Sequence, residues 1–323
     1  MKFSKIPFKP SQMLEQVLKR GLEGLEKNDP NFYKSVERIG YYRLTGYFLP
    51  FQEKNGPDPH KFCKGSTFSQ VIRLYELDEK LRNLTLRALD RIEVALRTSI
   101  CELMCARFDS HWYMLPKSFQ TGKHTAIFDE AAKHLDFDLT QNRPWKESGD
   151  IRKSRDAFLQ HYYKKYTDPK MPAAWILREL ASFGFWARTY EALNAPDAKM
   201  IAQKWQPSLG KIDHTILVNW FWSLSILRNR CAHHARIVHR QFPFAPVIPT
   251  ALENAFPGKT NDLRTLLTIV MIFLEVVQPG DEWRSQLAQL LSEYQDVDLE
   301  KAAGFAVPND VNWSNTLPFS LFV

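Results

Sequence analysis

Glycine is scarce in this chain. Thirteen glycines in 323 residues are too few for the glycine-rich loops that cradle nucleotides and for the many turns of a β-rich fold. Cysteine is scarcer still. Cys63, Cys101, Cys105 and Cys231 are the four in the chain, with no CxxC pair, which argues against a disulfide framework and against the common zinc-site spacings. Reduced thiols in a cytoplasmic protein fit that usage. Cys101 and Cys105 stand four apart and read as small packing residues on one helix face. A long hydrophobic run is also missing. The longest, Leu266 to Val277, is interrupted by Glu275 and is too short to span a bilayer. The opening MKFSKIPFKP lacks the apolar core of a secretion signal, so no membrane association is expected.

The last absence is local. Between His214 and Leu252 there is no Asp or Glu, although the chain carries 36 of them. Inside that gap lies LRNRCAHHARIVHR, residues 227–240, with four arginines and three of the nine histidines. The net charge is +7, and a basic stretch without acids suggests a phosphate-bearing partner.

Helical periodicity dominates what is present, and the fold class expected is all-α. Residues 11–27 read as a short amphipathic helix. Asp29 followed by Pro30 reads as an N-cap with proline at the first helical position. Thr67 and Gln70 have capping-box spacing, and apolar residues then recur at three- and four-residue steps to about Arg107. No Gly or Pro interrupts this run, which predicts a rod of about 60 Å that bends or breaks once. Residues 117–150 are polar, hold Gly122, Pro144 and Gly149, and lose the pattern. Helices resume in IRKSRDAFLQHYYKKY and in PAAWILRELASFGFWARTYEAL, opened by Pro172. Further helices are expected from His214 to about Arg230, over 261–277, and from Asp281 to about Tyr294. The domain reading is an N-terminal helical extension over 1–60, a helical domain over 61–300 with a polar insertion near 117–150, and a C-terminal wrap over 301–323.

Arg228, Asn229, His233 and His234 form the set with chemical content. Histidine exchanges a proton near neutral pH, and arginine grips a phosphate through a planar fork. Together they suffice for cleaving RNA without a metal: the 2′-hydroxyl attacks its own phosphate, histidine moves protons, and arginine steadies the charge on phosphorus. Arg228 and His233 are five apart, about 140° around an ideal helix, whereas Asn229 and His233 share a face. Either the helix breaks here, or the groups are shared between two copies of the motif in a homodimer.

The passage resembles the R-x(4–6)-H motif of HEPN nucleases. In detail it is similar to the bacterial abortive-infection family typified by AbiD and AbiF, whose motif reads close to RNxCAHHxRLWNR. Four further segments fall in the family's order: IGYYRLTGYFLPF (39–51), LYELDEKLRNLTLRALDRIEVALRTSI (74–100), PAAWILRELASFGFWARTY (172–190) and AAGFAVPNDVNW (302–313). The resemblance implies a HEPN-type helical bundle and phage defence by a toxic endoribonuclease acting on RNA. Arg228 and His233 would be the catalytic pair, with Asn229 and His234 in support and no cofactor or metal. This chain departs from the family at Ile237-Val238-His239, where Leu-Trp-Asn is usual, and at Arg178, where an acid is common and Glu179 is adjacent.

Other readings stand beside this one. Arg230, Arg236, Arg240, Lys164 and Lys165 are candidate RNA contacts, against solvated basic faces. IGYYRLTGY reads as core packing with locally bonded tyrosine hydroxyls, against a surface facing RNA or a partner. Glu93 and Arg97 read as an i,i+4 helix pair. Cys231 reads as a packing thiol, and RFDSH (107–111) as a chance near-match to the motif. The alternative function is a catalytically silent RNA-binding protein held with a structured inhibitory RNA, and a third is an α-helical partner for another toxin component.

Overall fold

The computed structural model describes residues 7–53, 55, 58–144, 156–208, 210–256 and 260–305. Thirteen α-helices make up almost all its regular structure, and the fold is all-α. The N-terminal helices are α1 (Pro10–Lys19), α2 (Pro30–Ile39) and α3 (Tyr41–Phe48). α1 is shorter than its sequence suggests, because the chain turns at Gly21 and Gly24, both at positive φ. The Asp29 carboxylate caps α2, accepting from the backbone N–H groups of Asn31 and Phe32.

α4 (Phe68–Arg107) is the axis of the molecule. Thr67 and Gln70 close its capping box in both directions, at 3.3 and 2.9 Å. It runs through all 40 residues as one α-helix, so of the expected bend or break, no break occurs. The helices packed on it are α3, α7 (Ala174–Leu180), α8 (Phe183–Ala192), α9 (Ala195–Lys204), α10 (His214–Ala232), α11 (Leu263–Val277) and α12 (Trp283–Ser292). The short α13 (Leu299–Ala303) follows. The core between α8, α9, α10 and α11 is aromatic: the Trp205 and Phe221 rings lie 4.9 Å apart and the Phe221 and Phe273 rings 5.1 Å apart, with Tyr190 and Trp220 alongside.

Two sequence expectations change. The polar segment 117–150 contains a helix, α5 (His124–His134), whose Ile127, Ala131 and Ala132 are buried. Small alanines on its inner face let it lie against α8, and Arg188 Nε reaches Glu130 Oε2 at 3.1 Å. A two-residue hairpin, β1 (Phe137–Asp138) with β2 (Arg143–Pro144), follows. The stretch 172–193 is two helices, because Ala181 is extended and the Ser182 hydroxyl caps a new start by accepting from Phe185 N. Residues 145–155, which include the start of the basic and aromatic run at 152, lie outside the described residues, as does the tail from 306. Of that run, α6 (Ala157–Lys165) is described. No helix among the described residues is long and apolar enough to cross a membrane.

Candidate functional site

α10 carries the motif, and its sequence explains its start. The Asp213 carboxylate accepts from Thr215 N at 2.8 Å and from the Thr215 hydroxyl at 2.7 Å. These bonds hold its pKa down at about 2. Leu217, Trp220, Phe221, Leu224 and Leu227 bury one side of the helix. The helix is unbroken through Arg228 and Ala232, and the His233 N–H still closes on the Asn229 carbonyl at 2.9 Å. The chain leaves the helix only at His234, whose φ is +55. The turn therefore comes after His233, and Arg228 and His233 keep the roughly 140° separation of an ideal helix. His233 and His234 are both exposed.

For Arg228, the carboxylate missing from this stretch is supplied by α4. Arg228 Nε meets Glu93 Oε2 at 3.1 Å, and Arg228 Nη1 donates to Asn229 Oδ1 at 3.3 Å. Glu93 is only 5% exposed, and burial raises its pKa against the pull of Arg228 and Arg97. One turn along α4, Arg97 Nη2 lies 3.7 Å from Glu179 Oε2, and Arg178 Nε donates to Glu179 Oε1 at 2.9 Å. Glu93 and Arg97, expected as a pair on one helix, each make their ion pair with another helix instead. They bridge α4 to α10 and α7, and Glu179 belongs to a chain of charges that ends at Arg228.

A second anchor holds the chain just past the motif. Asp78 Oδ1 accepts from Ile237 N at 2.8 Å and Val238 N at 2.9 Å. Asp78 Oδ2 accepts from the Tyr47 hydroxyl at 2.7 Å and pairs with Arg82, which also reaches the Tyr47 oxygen. Asp78 is 0% exposed and Arg82 3%. The turn itself is gripped from α3, where Arg43 donates to the His234 carbonyl and the Gly46 carbonyl accepts from Arg236. Sequence reading missed Asp78, Arg82, Tyr47 and Arg43. A signal was there for the first two: an acid and a base four apart, beside Leu74, Leu77 and Leu81 on the buried stripe of α4.

A family model described as Abi-like protein matches residues 34–239, well over half of the chain, from within α2 to His239 near the end of the motif. The chain belongs to the Abi-like family. Membership ties it to abortive infection, that is to phage defence in general. No curated protein and no solved structure matches it.

The departures of this Abi-like protein from the family pattern have physical readings. Ile237 and Val238 are fully buried, so this position takes apolar side chains that fill the core. His239 has φ of +47, a conformation in which both Asn and His are enriched. The candidate RNA-contacting residues separate. Arg240 is exposed. Arg230 lies 5.6 Å from the Phe242 ring centre, and burial, then Arg240, lowers its pKa. Arg236 is engaged by Gly46 and stands 6.0 Å from the Tyr47 ring. Lys164 and Lys165 are exposed on α6, whose Tyr162 and Tyr163 hydroxyls contact His111 and Leu135. Among the described residues no hydrogen bond or ion pair joins these lysines to the motif; Lys165 Nζ lies 5.3 Å from the Tyr166 ring centre. Burial pushes the Cys231 thiol up to about 12, as expected of a packing residue. Arg107 of the near-match RFDSH is paired with Asp197. Among the described residues no group of three or more His, Cys, Asp or Glu side chains is placed to hold a metal ion.

Proposed function

We propose that this Abi-like protein is a HEPN-type endoribonuclease that acts in phage defence by cleaving RNA. Arg228 binds the scissile phosphate. With Nε on Glu93 and Nη1 on Asn229, its orientation is set while Nη2 stays available, and a guanidinium has five N–H donors in all. The 2′-oxygen forms a bond to phosphorus as the bond to the 5′-oxygen breaks. One histidine takes the 2′-hydroxyl proton and another gives a proton to the leaving 5′-oxygen. The products are a 2′,3′-cyclic phosphate and a 5′-hydroxyl.

Two proton carriers are needed, and each chain offers His233 with His234 in support. The observation that carries the reading is the unbroken helix through Arg228, which leaves Arg228 and His233 on different sides. It favours a site composed from two copies, with Arg228 of one facing His233 of the other across a two-fold axis. Purified protein incubated with RNA in EDTA is expected to yield ends with a 2′,3′-cyclic phosphate. Arg228→Ala and His233→Ala are each expected to abolish cleavage and toxicity with circular dichroism unchanged. Full toxicity in the double variant would refute the site. Intact RNA that copurifies, with no cleavage of added RNA, would instead favour a silent binding protein.

A further inference from the structure

The face of α3 beside the motif carries a groove that the cleavage chemistry does not use. It measures about 720 Å³ and is lined by Phe8, Arg20, Tyr41, Tyr42, Gly46 and Leu49, among others. That size lies inside the roughly 300–1,000 Å³ of typical ligand sites. Tyr42 and Gly46 are four apart and share one side of α3, and Leu49 follows directly past its end. Tyr42 is 67% exposed, Leu49 and Phe8 about half exposed, and Tyr41 stands edge-on to Tyr42 at 5.7 Å. Arg20 and His60 are among the lining residues, and no Asp or Glu lines the groove. At Gly46 the absent side chain leaves open space: a Cβ built there meets nothing within 4 Å. The groove shares a wall with the motif, because α3 holds the turn through Arg43 on His234 and Gly46 on Arg236.

We propose that this groove is a nucleobase subsite, in which an unpaired base of single-stranded RNA next to the cleaved linkage stacks on Tyr42, with Arg20 attracting its backbone. The inference rests on the RNA reading of the motif. Aromatic faces beside a cation and without acids match a base on a polyanion. Gln16 and Thr45 also line the groove and add polar groups to its wall, the Thr45 hydroxyl donating to the Tyr42 carbonyl at 2.7 Å. The site would act on unpaired segments and would reject duplex, whose bases are already stacked.

The test uses full-length His233→Ala protein, which holds RNA without cutting it. Its probe is a fluorescent single-stranded oligoribonucleotide of about ten nucleotides, within the usual span of single-strand binding sites. Tyr42→Ala, and separately Gly46→Leu, which puts a side chain into the open space at Gly46, are each expected to weaken binding on the order of 5- to 100-fold. An abasic probe of equal length is expected to lose nothing. Undiminished binding in both variants would overturn the subsite while the RNA reading stood. Equal losses on the abasic probe would also overturn it, since the contact would then be to backbone. No binding by the His233→Ala parent itself would overturn the RNA reading and the subsite with it. A change of oligomeric state in Tyr42→Ala, seen by sedimentation and accounting for the loss, would overturn it in favour of a contact between copies.

Discussion

Removing the Asp78 carboxylate is expected to be among the most damaging single changes in the molecule. Asp78 is fully buried and faces four donors: Ile237 N, Val238 N, the Tyr47 hydroxyl and the Arg82 guanidinium. In Asp78→Ala the buried Arg82 charge loses its counter-ion, which costs about 3–5 kcal/mol for a pair of this kind. Two backbone N–H groups lose their acceptor, at about 1–3 kcal/mol each where no water replaces it. These losses overlap because they share one site, so the expected total is about 5 kcal/mol. That is comparable to the whole stability of many domains. Urea unfolding followed by circular dichroism reads it as a fall in the midpoint. Arg82→Ala should be nearly as harmful, and the double variant should lose far less than the sum. Tyr47→Phe gives a milder form that folds, with a loss of about 1 kcal/mol and faster amide exchange at Ile237 and Val238. A loss under about 2 kcal/mol for Asp78→Ala, with an additive double variant, would refute the claim that this carboxylate anchors the motif.

Three further outcomes are expected. Burial raises the Glu93 pKa, so between the ordinary carboxylate range and that raised value the folded chain holds the extra proton. Its contribution to stability is present on the acid side and is lost as pH rises through the raised value. The stability difference between wild type and Glu93→Gln should drift in that direction from mildly acid to neutral pH, and a flat difference would refute it. Asp213→Ala should cost about 1 kcal/mol near neutral pH by uncapping α10. Because the Asp213 pKa is held at about 2, this advantage exists above the ordinary carboxylate range and disappears as pH falls through about 2. At His234, with φ of +55, Gly should stay within about 1 kcal/mol of wild type while Val costs about 1–2 kcal/mol. Equal thermal midpoints for the two variants would show that the turn is set elsewhere.

The helices that sequence reading identified are those with strong local signals. α2 and α4 announce their starts through Asp29-Pro30 and Thr67/Gln70, and α10 and α11 through apolar periodicity. α5 was missed because its inner face is built from alanines, which weaken the apolar pattern that marks a helix. In the motif, the residue types and their order were legible, as was the angular conflict between Arg228 and His233. Their partners were not. Arg228 leans on a residue 135 positions earlier, and Ile237 on one 159 positions earlier. Such pairings depend on how α10 lies along α4, which no local pattern encodes. The partner of Arg228 was hidden from the acid-free stretch for the same reason, since Glu93 sits on a helix that packs against it. Tyr47 was expected to bond locally, yet its hydroxyl goes to Asp78 because α3 packs against α4.

The unbroken course of α4 has a consequence for how such a chain can change length. Asp78 and Glu93 are fifteen residues apart, about 22 Å along the axis, and each grips a different part of the same motif. Inserting or deleting one residue between them would turn one grip by about 100° and shift it by about 1.5 Å relative to the other. Neither the Arg228 pairing nor the Ile237–Val238 anchor could then form while its counterpart did. The interval behaves as a gauge block: its exposed side chains can be exchanged one at a time, but its count of residues cannot. Variation in length has to be taken up outside this interval.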